Sequence, residues 1–409
     1  MAMKLRDEQI ESTVNMMSAD PALLDAAAAC ALLGVKPASL YAYVSRRQIR
    51  SLRVGRQRQR WYVADDVRRL AARAGARRGH EAVAAGALRW GEPVLASAIT
   101  AVADGALAYR GHRVADLLAR GEGFEAVAEL LWAAAPAPWP ALPARAAGGT
   151  TRRATDAPIA QLIAALPALR TADAAPWPTT PSREHARARG LIVALAQSVG
   201  ATAPSPRAPA GGIAAGLARG LGLDDAAAVA LDATLVACAD HELNPSTFAA
   251  RVAAGTGADL YACVGAALFT LTGPRHGGAP EVVDALIEAL PTRGLAAAVR
   301  ARLARGERLP GFGHQLYPAG DPRVPLLRAR LPRPTSPTAA RRLAHAMAVA
   351  ELGHALTGEA PSLDYALVMR ARALGLAPAW TTGLFALGRV AGWVAHALEQ
   401  RASGDGLRP

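Results

Sequence analysis

The sequence predicts a mainly all-α protein, on three observations. Alanine, leucine and arginine dominate while aromatic residues make up only 5% of the chain, a composition that favours helix over sheet. Apolar residues recur three and four apart in the longer segments, the period of a surface helix. Glycine and proline gather between those segments and punctuate them. At 409 residues the chain is long enough for two or three domains with sizeable cores.

The formal charge of +13 is unevenly placed. Residues 1–80 hold 15 Lys and Arg against 7 Asp and Glu, so +8 falls there and only +5 on the remainder. A basic excess confined to one small segment points to a polyanionic partner for that segment. Residues 1–24 read as a tail and residues 25–80 as a compact winged helix-turn-helix. Asp25 is placed to cap a short helix, AAAACALLG, that Gly34 ends. Val35 and Lys36 form the turn, and Pro37 opens a second helix, PASLYAYVSRR. Leu40 and Val44 would face inward, leaving Ser39, Tyr41, Tyr43, Arg46 and Arg47 to a groove. IRSLRV and RQRQRWYV alternate and meet near Gly55, as the two strands of a wing do. Asp65 would cap a third helix. From Lys36 to Arg60 there are eight basic residues and no acid, the footprint of phosphate contacts on duplex DNA. Arg46, Arg47, Arg53 and Arg56 are the candidate DNA-binding residues. The segment resembles the MerR and excisionase group of DNA-binding domains. The alternative is a small module for dimer contacts whose arginines form a solvated face.

Residues 75–90 contain a charged, Gly-containing break that suits a linker. Beyond it, VADLLARGEGFEAVAELLWAAA has the spacing of an amphipathic helix. Residues 135–185 are rich in Ala, Pro and Thr and read as loops around one short helix, DAPIAQLIAAL. Helices resume near Arg183 and again at GGIAAGLARGLGL and DAAAVALDATLVACAD. The three cysteines, Cys30, Cys238 and Cys263, have no CxxC spacing, so neither a zinc site nor a disulfide framework is indicated. The opening MAMKLRDEQIESTVNMM is too charged for a signal peptide, and the most apolar runs contain acids and are too short to span a membrane. The expectation is a cytoplasmic protein with no membrane partner.

Three of the nine histidines, His241, His276 and His314, fall at helix starts or in Gly/Pro-rich turns within about eighty residues. Such turns bring a side chain to the mouth of a cleft. His345, His354 and His396 instead sit at helical spacing among Ala and Leu and read as structural. Asp364 is the only acid in PSLDYAL, and its position suits a helix N-cap as well as a chemical role. Arg389 lies beside an apolar stripe of Leu384, Leu387, Ala391, Val394 and Leu398, where a charge needs a partner.

The segments HELNPSTF, GPRHGGAPE, GFGHQLYPAGDPR, SLDYAL and GLFALGRVAGWVAHALEQ occur in that order, after an earlier stretch containing YRG. Together they resemble the signature segments of the citrate synthase family over roughly residues 90–409. The resemblance implies a large helical domain (81–276 and 386–409) with a smaller one (277–385), and a homodimer. It also implies condensation of acetyl-CoA or propionyl-CoA with oxaloacetate, followed by thioester hydrolysis to citrate or 2-methylcitrate. No tightly bound cofactor is implied; acyl-CoA is substrate and CoA product. By match to the family's motifs, Asp364 would be the base, His276 the donor to the enol oxygen, and His314 the group polarising the ketone. His241, Arg323 and Arg389 would hold the carboxylates of oxaloacetate, Phe385 would pack beside it, and Arg408 would reach the partner subunit's site. Gln315 and Pro318 depart from the family pattern, removing cations near the CoA phosphates. Pro280 and Ser362 replace frequent asparagines. A DNA-binding regulator whose synthase-like part senses a di- or tricarboxylate, or an acyl-CoA, is the alternative.

Overall fold

The computed structural model describes residues 23–45, 48–54, 59–64, 66–68, 70, 95–103, 105–142, 157–173, 179–203, 212–274, 276–404 and 407. They belong to two compact units, one up to Ala96 and one from Ser97. Arg46, Arg47, Arg56, Asp65, the 75–90 linker and Arg408 lie outside the described residues, and Arg53 is placed by its backbone alone.

In the first unit, helix α1 (Ala26–Leu33) starts where the Asp25 carboxylate accepts the N–H of Ala28 at 2.7 Å. It stops at Gly34, whose φ of 62° is a left-handed C-cap. Helix α2 (Pro37–Ser45) follows at 94° to it. Strands β1 (Leu23–Leu24), β2 (Ser51–Val54) and β3 (Gln59–Val63) make an antiparallel sheet in the order β1-β3-β2. The two-residue β1 went unread because it is too short to show alternation; it lies where a tail is expected and pairs Leu24 with Tyr62. Ala29, Leu33, Leu40, Ile49, Tyr62 and Val67 form the core. Tyr43, expected to face a groove, packs against that core instead, whereas Tyr41 is exposed beneath the Arg60 guanidinium, 5.7 Å from its ring centre.

The second unit opens with a three-stranded antiparallel sheet that an all-helical reading leaves out: β4 (Thr100–Ala103), β5 (Ala106–Tyr109) and β6 (His112–Arg113). Its strands are short and alanine-rich, so their side chains carry little β signal. The YRG motif is the second hairpin: Arg110 and Gly111, at φ 44° and 83°, make the two-residue turn between Tyr109 and His112. The single amphipathic helix expected next is two, α3 (Val114–Ala119) and α4 (Phe124–Trp132), divided at Gly121, where φ is 73°. Helix α5 (Pro158–Ala172) runs on through Pro167, six residues past the short helix expected there, because Leu162 and Leu166 anchor its buried side while Pro167 faces outward.

Next come α6 (Pro181–Ser198), α7 (Ile213–Gly220), α8 (Asp225–Cys238), α9 (Pro245–Gly255), α10 (Leu260–Leu271), α11 (Ala279–Ala289) and α12 (Leu295–Ala304). Helices α13 (Arg323–Arg328), α14 (Pro337–Thr357), α15 (Leu363–Ala373) and α16 (Ala379–Ser403) complete the unit. Helix α16 is its axis, packing against α4, α5, α6, α8, α9, α10, α11 and α15. It is buried without a break from Ala386 to Ala397, so the expected one-sided stripe is a helix enclosed on every side. Gly388 and Gly392 let the end of α8 lie against it. A Cβ at Gly388 would stand 2.7 Å from the Leu235 carbonyl oxygen, and one at Gly392 2.4 Å from that of Ala239. Among the described residues no single helix is long and apolar enough to cross a membrane.

Candidate active site

The site is built around the end of α8, whose last carbonyls run out of helical partners. Three of the carbonyls there accept from groups elsewhere in the chain. The Tyr109 hydroxyl donates to Val236 O at 3.0 Å and accepts the Asp240 N–H at 3.3 Å. Arg389 Nε donates to Cys238 O at 2.7 Å, and the Gly392 N–H donates to Ala239 O at 2.9 Å. Glu242 then takes a left-handed conformation, φ 51°, which a side chain rarely adopts. The chain turns there, and His241 is fixed at the bend.

His241, His314 and Tyr317 form one ring cluster. His241 Nε2 is 2.9 Å from the Tyr317 hydroxyl, and the His241 and His314 ring centres are 5.7 Å apart, edge to face. The Leu316 N–H, which can only donate, meets His314 Nδ1 at 3.2 Å and so leaves the proton of a neutral ring on Nε2. Asp321 and Arg323 close this loop with a buried two-pronged pair, Nε to Oδ1 at 2.9 Å and Nη2 to Oδ2 at 2.6 Å. Arg323 Nη1 is buried with no hydrogen-bond partner.

His276 lies between α10 and α11. Its Nε2 accepts the Ser246 N–H at 3.3 Å and lies 2.8 Å from the Ser246 hydroxyl, so a neutral ring carries its proton on Nδ1. Ser246 Oγ also accepts from Trp393 Nε1 at 3.1 Å and lies 2.7 Å from Asn244 Oδ1, so its one proton is shared between His276 Nε2 and Asn244 Oδ1. Asn244 caps α9 through the Thr247 N–H, and its Nδ2 is buried without a partner.

Asp364 stands in the first turn of α15, two residues after the cap position at Ser362, so it is not itself the cap. The Gly313 N–H donates to Ala360 O and the Ser362 N–H to Gly311 O, fastening the His314 loop to the start of α15. Gly311 and Gly313 hold φ of 83° and 72°, and a Cβ at Gly311 would stand 2.6 Å from Val283 Cγ2. Arg389, buried inside α16, has its guanidinium 4.6 Å above the Phe385 ring.

Burial sets the charge states. It pushes the Asp364 carboxyl up to about 6 against the lowering influence of Arg323. His276 is brought down to about 4, by burial first and Arg389 second. Burial, Arg323, Arg389 and His314 hold His241 well below the usual imidazole range. His314 is lowered by burial and Arg323, with Asp321 opposing. At neutral pH three uncharged imidazoles therefore stand beside an ionised carboxylate and two arginines. The donors without protein acceptors, Arg323 Nη1 and Asn244 Nδ2, suit a ligand bearing carboxylate groups.

His241, His314, Arg323 and Arg389 thus share one neighbourhood, with Asp364 tied to it through the loop contacts and Arg323, and His276 through Arg389. Tyr317, Tyr109, Ser246, Asn244 and Asp321 were not singled out as site residues. Tyr109 and Tyr317 do stand inside motif segments, but nothing in a local pattern tells a tyrosine that will hold a loop 131 residues away. His345 bonds the carbonyls of Ile287 and Leu290, and His354 that of Glu359, as structural histidines do. Gln315 and Pro318 are exposed beside His314. Among the described residues no group of His, Cys, Asp and Glu could hold a metal ion.

The family model of the citrate synthase C-terminal domain matches residues 87–409. This chain belongs to the citrate synthase family. A putative citrate synthase 2 of Mycobacterium bovis is 39% identical over 192 residues, 44% of this chain and 49% of that protein. The chain thus spans about half the length of the first curated relatives it matches. A 2-methylcitrate synthase of Mycobacterium tuberculosis is 33% identical over 331 residues, 74% of this chain and 83% of that one. Among solved structures, citrate synthase from Thermoplasma acidophilum, in a ternary complex with carboxymethyl coenzyme A and oxaloacetate, has a TM-score of 0.62 at 23% identity, covering 78% of this chain and 92% of that one. Citrate synthase from Pyrobaculum aerophilum has a TM-score of 0.61 at 26% identity, covering 78% and 90%. Every site residue from His241 to Arg389 falls inside the citrate synthase match, and residues before 87 fall outside it.

Proposed function

We propose that this protein condenses an acyl-CoA with oxaloacetate in the manner of a citrate synthase. The Asp364 carboxylate takes the weakly acidic α-proton of acetyl-CoA or propionyl-CoA, and the His276 Nδ1–H donates to the developing enolate oxygen. The new carbon–carbon bond forms at the ketone of oxaloacetate, whose oxygen takes the proton on His314 Nε2. Arg323, Arg389 and His241 hold its carboxylates, Phe385 packs beside it, and Arg408 reaches the site from a partner subunit. Water then cleaves the thioester, releasing CoA and citrate or 2-methylcitrate. No tightly bound cofactor is required. The reading includes a homodimer, and a large domain (81–276, 386–409) and small domain (277–385) that close on substrate to exclude water.

The observation that carries the proposal is one buried cluster of His241, His314, Arg323 and Arg389 to which both a raised Asp364 carboxyl, at about 6, and a neutral His276 with its proton on Nδ1 are joined. A base and a neutral hydrogen-bond donor together are what enolisation at neutral pH needs. The test is oxaloacetate-dependent release of free CoA thiol, with acetyl-CoA and propionyl-CoA supplied separately. Release with one or both is expected, and the ratio of kcat/KM names the acyl group. Absence of release with either defeats the proposal.

A second activity, duplex DNA binding by residues 25–80, is favoured by the right-angled α1–α2 pair and by Arg60 stacked on exposed Tyr41. Changing Arg46, Arg47 and Arg56 together to Glu should abolish a salt-sensitive shift of duplex DNA. If the untouched protein gives no shift, this reading falls and the alternative of a regulator falls with it.

A further inference from the structure

His396 lies in the middle of α16 with no exposed surface, and both ring nitrogens are engaged. Nδ1 is 3.3 Å from Arg251 Nη1, and Nε2 is 3.2 Å from Asp240 Oδ2. A guanidinium can only donate, so Nδ1 accepts and the ring proton sits on Nε2, aimed at Asp240. Arg251 is itself fixed, donating from Nε to Gln400 Oε1 at 2.9 Å and from Nη1 to Glu399 Oε2 at 2.7 Å. Glu399 in turn accepts the Ala98 N–H at 2.8 Å. The tautomer of His396 is therefore built in from α9, α16 and the residues before β4.

Asp240 is the residue before His241. Its Oδ2 accepts from His396 and, at 2.5 Å, from the Thr100 hydroxyl; its Oδ1 is buried with no partner, against Gly392. Burial pulls the charge of Arg389 down, and among charged neighbours Asp240 supports it most. Among the described residues, however, no ion pair joins the two. The negative charge balances Arg389 from nearby without occupying its guanidinium. A direct pair would compete with a carboxylate ligand for the same N–H groups.

We propose that His396 is a positioning residue: together with Thr100 it holds Asp240 turned away from Arg389, which leaves the guanidinium open to the carboxylate of the ligand. The proposal rests on the dicarboxylate site described above and adds to it a residue that touches neither ligand nor reacting atoms. Without the His396 donor, Asp240 turns toward Arg389 and closes the subsite from behind.

The test measures oxaloacetate binding by calorimetry, together with KM for oxaloacetate and kcat, on the full chain and three variants. His396→Leu removes the donor, His396→Gln keeps an N–H near the position of Nε2, and Thr100→Val removes the other bond to Oδ2 at nearly constant shape. His396→Leu and Thr100→Val should each weaken binding and raise KM by about tenfold or more, the scale of one buried hydrogen bond to a charge, with kcat changed far less. His396→Gln should recover most of the affinity. A purely structural role would lower the melting temperature and leave the affinity of folded protein unchanged. If His396→Leu does not fold, Thr100→Val decides. Unaltered binding in variants of a protein that itself binds oxaloacetate overturns the inference and leaves the functional reading standing; no binding by the unaltered protein overturns both.

Discussion

Phe312 and Pro361 form an isolated antiparallel bridge, and the Phe312 ring packs on Tyr365 with centres 5.2 Å apart. The bridge joins the loop that carries His314 to the turn that precedes Asp364. The group proposed to polarise the ketone and the group proposed to remove the α-proton therefore cannot shift independently.

Replacing Asp364 with Asn should remove the base and keep the shape of the first turn of α15. Turnover should fall by roughly 10³-fold or more, at the upper end of general-base contributions. Oxaloacetate affinity, set by the arginines and His241, should stay within about threefold, since no ligand contact is lost. Stopped thiol-release assays beside calorimetry check both; comparable turnover in the variant would remove Asp364 from the mechanism.

The pH dependence has a defined sign. With its carboxyl at about 6, Asp364 is protonated below that value, so kcat/KM should rise with pH through about 6 and level off above it. The same shift acts on stability. A carboxyl raised above its ordinary 3.8 binds a proton in the native state that the unfolded chain has released, so ionising it costs stability as pH rises between those values. The cost is at most about 3 kcal/mol and less for partial exposure. Asp364→Asn should accordingly melt higher than the unaltered protein at pH 7, with the gap closing by pH 4.

Ser246→Ala should act on His276 without touching substrate. The hydroxyl supports His276 Nε2 and links it to Trp393 and Asn244. Its loss should lower kcat roughly tenfold, the equivalent of one net hydrogen bond, with smaller effects on KM for oxaloacetate. A fall in affinity with unchanged kcat would place Ser246 in ligand binding instead.

Gly392→Ala should damage fold and site together. The added methyl would meet Ala239 O at 2.4 Å and Asp240 Oδ1 at 2.3 Å, and neither backbone nor enclosed carboxylate can withdraw cheaply. A destabilisation of about 3 kcal/mol is expected for such overpacking, measured by denaturant unfolding, with loss of oxaloacetate binding in the remaining folded protein.

Much of the candidate site is legible along the chain because its members sit in turns with distinctive chemistry. His276 and His314 announce themselves through flanking glycines, and Asn244-Pro245 marks a helix start beside His241. The supporting residues are not legible, because their roles arise only on closure. Asp240 meets Thr100 and His396 across 140 and 156 residues, and a buried histidine among alanines has no local mark of its partner. The fold divides similarly. The cap at Asp25 is legible because a cap is a contact within three residues, and Asp224, Asp259 and Ser336, not read as caps from the sequence, start three further helices in the same way. The β4–β5–β6 sheet stays hidden because pairing, not side-chain preference, makes it.

Helix α16 follows in sequence every element it packs against. During synthesis, the preceding helices emerge from the ribosome without the surface they are shaped to enclose. The Cys238 and Ala239 carbonyls at the end of α8 lack these partners until Arg389 and Gly392 arrive. Productive assembly of this unit should therefore be late, dominated by long-range contacts and slow compared with a bundle closed by neighbouring helices. Until then its alanine- and leucine-lined interior is the part of the nascent chain most exposed to misassembly.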